Sequence, residues 1–125
     1  MTVLALLHNL IRWLVLAAGA AAIIRAARGW AGDLDFSRPD NLLGSVYTGL
    51  VDLNVVFGVA LLVLAWSDPD RPALLHPIMT ILAAVVAHAA RLTARDRDAK
   101  TRHLFQGLGF LLSLGLIVVG VGLVR

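Results

Sequence analysis

The chain contains no cysteine and no glutamate, and charged residues fill only 15% of its 125 positions. Without a thiol there is no iron–sulfur cluster, no thiolate zinc site, no covalently attached c-type haem and no cysteine nucleophile. Without glutamate there is no H-E-x-x-H zinc site. A glycine-rich phosphate loop and a Ser-His-Asp set at compatible depths are missing as well. Soluble domains carry about 25% charged and about 45–50% apolar residues. Here the apolar share is 59%, which excludes an ordinary water-soluble globule together with collagen-like, disordered and disulfide-stapled classes.

What the chain has instead is four long apolar runs. The first spans Thr2 to Ile24 and is interrupted by His8, Asn9 and Arg12. The second spans Leu42 to Trp66 and carries Asp52 and Asn54. The third spans Ala73 to Ala90, with His76 and Pro77 at its start and His88 near its end, and the fourth runs from Leu104 to Val124 with no ionisable residue inside it. A hydrocarbon core of about 30 Å takes roughly 20 residues of helix, so each run suits one crossing. The expected fold is all-α: an integral membrane, antiparallel four-helix bundle forming a single transmembrane domain over 1–125, with helices at about 2–27, 42–66, 73–92 and 103–124. The first run lacks a basic leader and holds Arg12, so it reads as a permanent helix and not a cleaved signal. Gly29, Gly32, Ser37 and Pro39 punctuate the first loop; Asp68, Pro69, Asp70 and Pro72 punctuate the second. The stretch Arg91 to Arg102 should carry the third helix into water before it turns.

Let side A be the membrane face with both termini and side B the other. Side B receives Arg25, Arg28, Arg38, Arg91, Arg95, Arg97, Lys100 and Arg102, whereas side A receives Arg71 and Arg125. That bias of eight to two expects the basic loops in the cytoplasm and both termini outside. The net charge of +3 is thus a topology signal. No nucleic-acid partner is expected, because the third loop is short and has no interleaved aromatics. A bacterial plasma membrane is the expected location.

Ionisable residues inside spanning segments are costly and mark candidate sites. All four histidines sort by depth into two pairs: His8 with His76 near side A, and His88 with His103 near side B. His76 and His88 are about 18 Å apart along a helix axis and about 120° around it, so they can face different neighbours. Two imidazoles from separate helices can clamp a haem iron axially. Each histidine also has a plainer reading: His103 as a solvated interface residue, His76 as a flank of the Pro77 helix start, and His8 and His88 as hydrogen-bonding glue between helices. Arg12 lies one turn after His8 and could hold a haem propionate or pair with Asp52 near mid-membrane, a role favoured for Asp52 over proton transfer. Arg91 repeats that arrangement after His88 or serves topology alone. Asp52 could instead carry protons, and Asn54 lies two residues nearer side A.

Small residues suggest close helix contacts at Ala83, Ala84, Ala87, Ala89 and Ala90 and at Gly115, Gly120 and Gly122. Trp30 and Trp66 sit at expected helix ends as interfacial anchors, while Trp13 is expected to pack. Tyr47 and Ser45 form no constellation with these residues.

Leu7, His8 and Asn9 with Arg12 and Trp13, then Asp52, Leu53 and Asn54, then Leu75, His76 and Pro77 with Met79, and finally Ala87 and His88 with Arg91, run over nearly the whole chain. In these motifs the chain resembles a family of small bacterial four-helix membrane proteins labelled cytochrome-b-like. The resemblance implies haem b as cofactor and electron transfer as activity. It is similar also to the wider five-sixty-one type of cytochrome b, which holds two bis-histidine haems at opposite faces of a four-helix core. The ligands so implied are His8, His76, His88 and His103. Larger members have extra or longer helices and this chain has neither, a departure that leaves room for one haem only, or for none, where the histidine pairs would allow one or two.

The leading expectation is a membrane-bound b-type cytochrome passing single electrons between a quinol and a protein partner at the other face. Two other classes stay open. One is an accessory subunit of a larger membrane complex, with the intramembrane polar residues as glue. The other is a proton- or metal-handling protein using Asp52 and the histidines, since imidazole suits several transition metals.

Overall fold

A computed structural model describes residues 2–70 and 73–122. Its elements are α1 (Thr2–Ala31), α2 (Arg38–Leu64), α3 (Leu75–Ala94) and α4 (Ala99–Gly122). All four are long and apolar enough to cross a membrane. They pack as a ring in which each helix meets its sequence neighbours and α4 closes onto α1; the α3–α4 seam is the tightest and the α2–α3 seam the loosest. The expected four-helix membrane bundle is what the chain forms.

The distribution of side chains is inverted relative to a soluble bundle. Leu6, Leu10 and Leu14 of α1, Val56 and Val63 of α2, Leu82 and Val85 of α3, and Leu111, Leu112 and Val118 of α4 all face outward. The interior is small or polar: Ala83, Ala87, Ala90 and Ala94 on α3, with Tyr47, Thr48, Gln106 and Ser113 among the buried residues. Lipid tails are as apolar as leucine, so helices there gain by close packing and interhelical hydrogen bonds. A buried relay makes the point. The Ser113 hydroxyl donates to the Ala83 carbonyl at 2.7 Å, and the Tyr47 hydroxyl, 2.9 Å away, donates to Ser113. One chain of bonds thus ties α2 to α4 to α3.

The helices differ from their expected limits mostly at side B, where α1 runs on to Ala31 and α2 and α4 begin four residues early. Hydropathy marks only the apolar stretch, and these helices continue beyond it on polar turns. The start of α2 is fixed by Asp40, which accepts hydrogen bonds from the Ser37 backbone N–H at 2.8 Å, the Ser37 hydroxyl at 3.0 Å and Arg25 Nε at 2.6 Å. This is the reach-back half of a capping box. Pro39, expected in the loop, lies in that first turn, where a missing N–H costs nothing.

Helix α1 ends in a Schellman-type turn. Asp33 takes the left-handed conformation with φ 54°, and the Leu34 N–H donates to the Gly29 carbonyl at 3.0 Å. Gly29 is therefore helical, not part of the loop. The α3 helix stops at Ala94 instead of extending to Arg102; residues 95–98 turn, and the Asp98 carbonyl accepts the Arg102 N–H at 2.9 Å to start α4. At side A, α3 begins at Leu75, and Trp66 lies past the end of α2. In the second loop the Asp70 N–H donates to the Asp68 carboxylate at 2.9 Å. Arg71, Pro72 and Arg125 lie outside the described residues.

The closest helix approach joins one of the small residues expected there, Ala90, to one that was not, Gly109. A Cβ on Gly109 would come within 2.2 Å of the Ala90 Cβ, and one on Gly120 within 3.4 Å of the Met79 Cβ. Gly115 and Gly122 face open space and Ala89 is exposed. Ala90 and Gly120 thus make the contacts expected of them, whereas Gly109 takes the place assigned to Gly115.

Candidate functional site

A cavity of about 310 Å³ opens among all four helices near side A. Helix α1 contributes His8 and Arg12, α2 contributes Asn54 and Gly58, α3 contributes His76 and Thr80, and α4 contributes Ile117 and Val121. The depth arithmetic that paired His8 with His76 is matched by their sharing this one cavity.

The two imidazoles are held differently. His76 Nδ1 lies 2.8 Å from the Gly120 carbonyl oxygen. A carbonyl only accepts, so Nδ1 carries a proton, and in a neutral ring Nε2 is then the nitrogen with the free lone pair. An imidazole that donates one N–H to a carbonyl has its tautomer and orientation fixed and its other nitrogen made more basic, which is how ligating histidines are usually supported. His8 is not tied at Nδ1, which is buried and has no hydrogen-bond partner among the described residues, while the Asn54 backbone interacts with its ring. Its ring lies against the α2 backbone: a Cβ on Gly58 would stand 3.1 Å from His8 Cε1. Asn54 is 5% exposed and its buried Oδ1 is also without a partner. An unpaired buried polar atom costs about 1–3 kcal/mol. Two in one cavity call for a ligand or bound water.

Arg12 lines the same cavity, donates from Nη2 to Asn9 Oδ1 one turn earlier, and lies 5.7 Å from the Trp13 ring. The expected Arg12–Asp52 pair does not form. Asp52 and Asn54 are two residues apart, about 200° around the helix, so only one of them can face the cavity. Asn54 does, and Asp52 turns to α3, where its carboxylate oxygens lie 2.7 and 2.9 Å from His88 Nε2. That hydrogen-bonded pair is about half exposed on both sides of the α2–α3 seam.

Side B is arranged otherwise. His88, its Nε2 taken by Asp52, lines a cleft with Asn41, Arg91 and Gln106. His103 is 1% exposed; its Nε2 sits 3.2 Å from both the Leu34 and Asp35 carbonyls, its ring packs on Phe36, and Gly29 leaves the space it occupies. It belongs to a different cleft, on the α1 side, with Arg25, Arg28 and Asp40. The structure therefore brings His8 and His76 together and does not bring His88 and His103 together. Arg91 Nη2 donates to Asn41 Oδ1 at 2.7 Å. Among the described residues no group of three His, Asp, Glu or Cys converges as a chelating cluster.

Several participants were missed in sequence. Gly58 lies one turn after Asn54 on the cavity face, and that spacing was a usable signal. Gln106 is the chain's one glutamine, buried in an apolar helix, and its amide donates to the Asp40 carbonyl at 3.2 Å. The Gly120 carbonyl that orients His76 leaves no trace in residue type. Comparison with protein-family models, with curated proteins and with solved structures finds no match to this chain.

Proposed function

We propose that this chain is a b-type cytochrome that moves single electrons in the bilayer through one haem held by His8 and His76. One observation carries the reading: two histidines from different helices share a cavity, one with Nε2 freed by the Gly120 carbonyl and the other with a buried Nδ1 lacking a partner. Gly58 supports it by clearing the wall beside His8. The haem supplies the one-electron redox change. The residues would do the rest: the His8 and His76 imidazoles would hold the iron, Arg12 would answer a propionate charge, and the apolar lining from Ile117 and Val121 would keep out water. A quinol is the proposed donor and a protein at the membrane face the acceptor. The eight-to-two bias in basic residues supports insertion in a bacterial plasma membrane with side B in the cytoplasm.

The test is a dithionite-reduced minus oxidised spectrum of detergent-purified protein, with haem counted against chain. Sharp b-type bands at about one haem per chain, the number the single His8–His76 cavity predicts, support the reading; a flat spectrum after expression with ample haem overturns it. Orientation has its own check, because a cysteine-free chain gives clean single-cysteine labelling. Asp35→Cys should react only from the cytoplasm and Asp68→Cys only from outside.

A second reading, an accessory subunit of a larger complex, draws on the half-exposed His88–Asp52 pair inside the span. A polar pair open to lipid is one that a neighbouring subunit would cover. The same pair is what a proton-handling protein would use.

A further inference from the structure

At side B a cavity of about 220 Å³ lies where α2, α3 and α4 meet, and its charged lining is unbalanced. Arg91, Arg95 and Arg102 all border it, with Asn41, Gln106 and His88, and no carboxylate is among the lining residues. Another arginine at this end of the bundle shows what balance looks like: Arg25 is 2.6 Å from Asp40. Among the described residues the three cavity arginines have no carboxylate within ion-pairing distance, and Asp96 and Asp98 on the adjoining turn are exposed and outside the lining.

Two of the guanidiniums are built in place. Arg91 is anchored by Asn41 and lies against Gly44, where a Cβ would come within 3.1 Å of Arg91 Nε and 2.8 Å of Gln106 Oε1. Arg102 stacks over Phe36 with its guanidinium carbon 4.0 Å from the ring centroid, and its Nε is buried without a partner. A buried, unpartnered donor on a fixed cation in a carboxylate-free cavity is a group that an anion would satisfy.

We propose that this cavity binds a phosphate-bearing anion, presented as the headgroup of an anionic phospholipid. Asn41 lies in the first turn of α2, Arg91 in the last turn of α3 and Arg102 in the first turn of α4. That common level is the membrane–water boundary, and basic pockets between helices at that level take lipid headgroups. The planar fork of arginine matches a phosphate's paired oxygens better than a lysine would. The site is separate from the His8–His76 cavity and stands whether or not haem binds there.

The test uses full-length chain reconstituted in phosphatidylcholine nanodiscs with and without phosphatidylglycerol, then solubilised and weighed by native mass spectrometry for retained lipid. Phosphatidylglycerol should be retained in preference to phosphatidylcholine. Each of Arg91→Gln and Arg102→Gln should weaken retention about five-fold, the ratio expected for one arginine at a lipid surface. Arg95→Gln, on the exposed turn, should do so without risk to folding. Arg28→Gln, a side-B arginine in the separate α1-side cleft, should change it less than about two-fold, because it lies outside direct contact with a headgroup held here and is screened. Equal retention of both lipids overturns the proposal, as does Arg28→Gln matching Arg102→Gln. Competition by millimolar inorganic phosphate against phosphatidylglycerol would keep the phosphate chemistry and overturn the lipid as its source.

Discussion

The two ends of this bundle begin from the same sequence pattern and diverge in three dimensions. Each has a histidine pair at matched depth and an arginine close behind one of the pair. At side A, His8 and His76 share a cavity, and His76 has one nitrogen tied and the other bare. At side B, His88 is held by Asp52 and His103 by two loop carbonyls, in separate clefts. Depth along a helix can be counted from sequence. The direction a side chain takes around the helix, and the neighbour it meets, cannot be counted the same way.

That contrast can be broken by substitution. The largest effect should come from Gly58→Val, which fills the space 3.1 Å from His8 Cε1 and should remove most of the haem proposed for side A without blocking membrane insertion. Gly29→Ala is the matching change at side B. Its Cβ would meet three His103 ring atoms at 2.3–2.4 Å, and overpacking of this kind costs about 1–3 kcal/mol. Unfolding in denaturing detergent should show that loss, while haem content per folded chain stays at the wild-type value.

The bundle's shape was legible because hydropathy and length decide a membrane fold almost alone. Helix ends at side B were not, since Ser37, Asp40 and Asp98 build polar turns that an apolar run cannot mark. The His8–His76 cavity was legible from depth. The fate of Asp52 was not, because choosing between Arg12 and His88 depends on which side of α2 it occupies. The Tyr47–Ser113 relay was also overlooked, because one hydroxyl in each of two apolar runs looks incidental until the helices are side by side.

Smaller effects sharpen the comparison further. Tyr47→Phe removes one interhelical hydrogen bond midway between the ends and should cost about 0.6–1.7 kcal/mol, the range measured for such bonds in membranes; the same unfolding assay reads it. The smallest effect at side A should come from Asp52→Asn, which alters the partner of His88 on the far side of α2. The reduced-minus-oxidised spectrum should be unchanged, and a shifted or lost band would link the two ends.

The measurement that bears most directly on this asymmetry is haem content per chain in the four single histidine-to-alanine variants, purified side by side. The account predicts that His8→Ala and His76→Ala lose the haem while remaining inserted in the membrane, and that His88→Ala and His103→Ala keep it. Loss of haem in His88→Ala or His103→Ala, with retention in His8→Ala and His76→Ala, would contradict it.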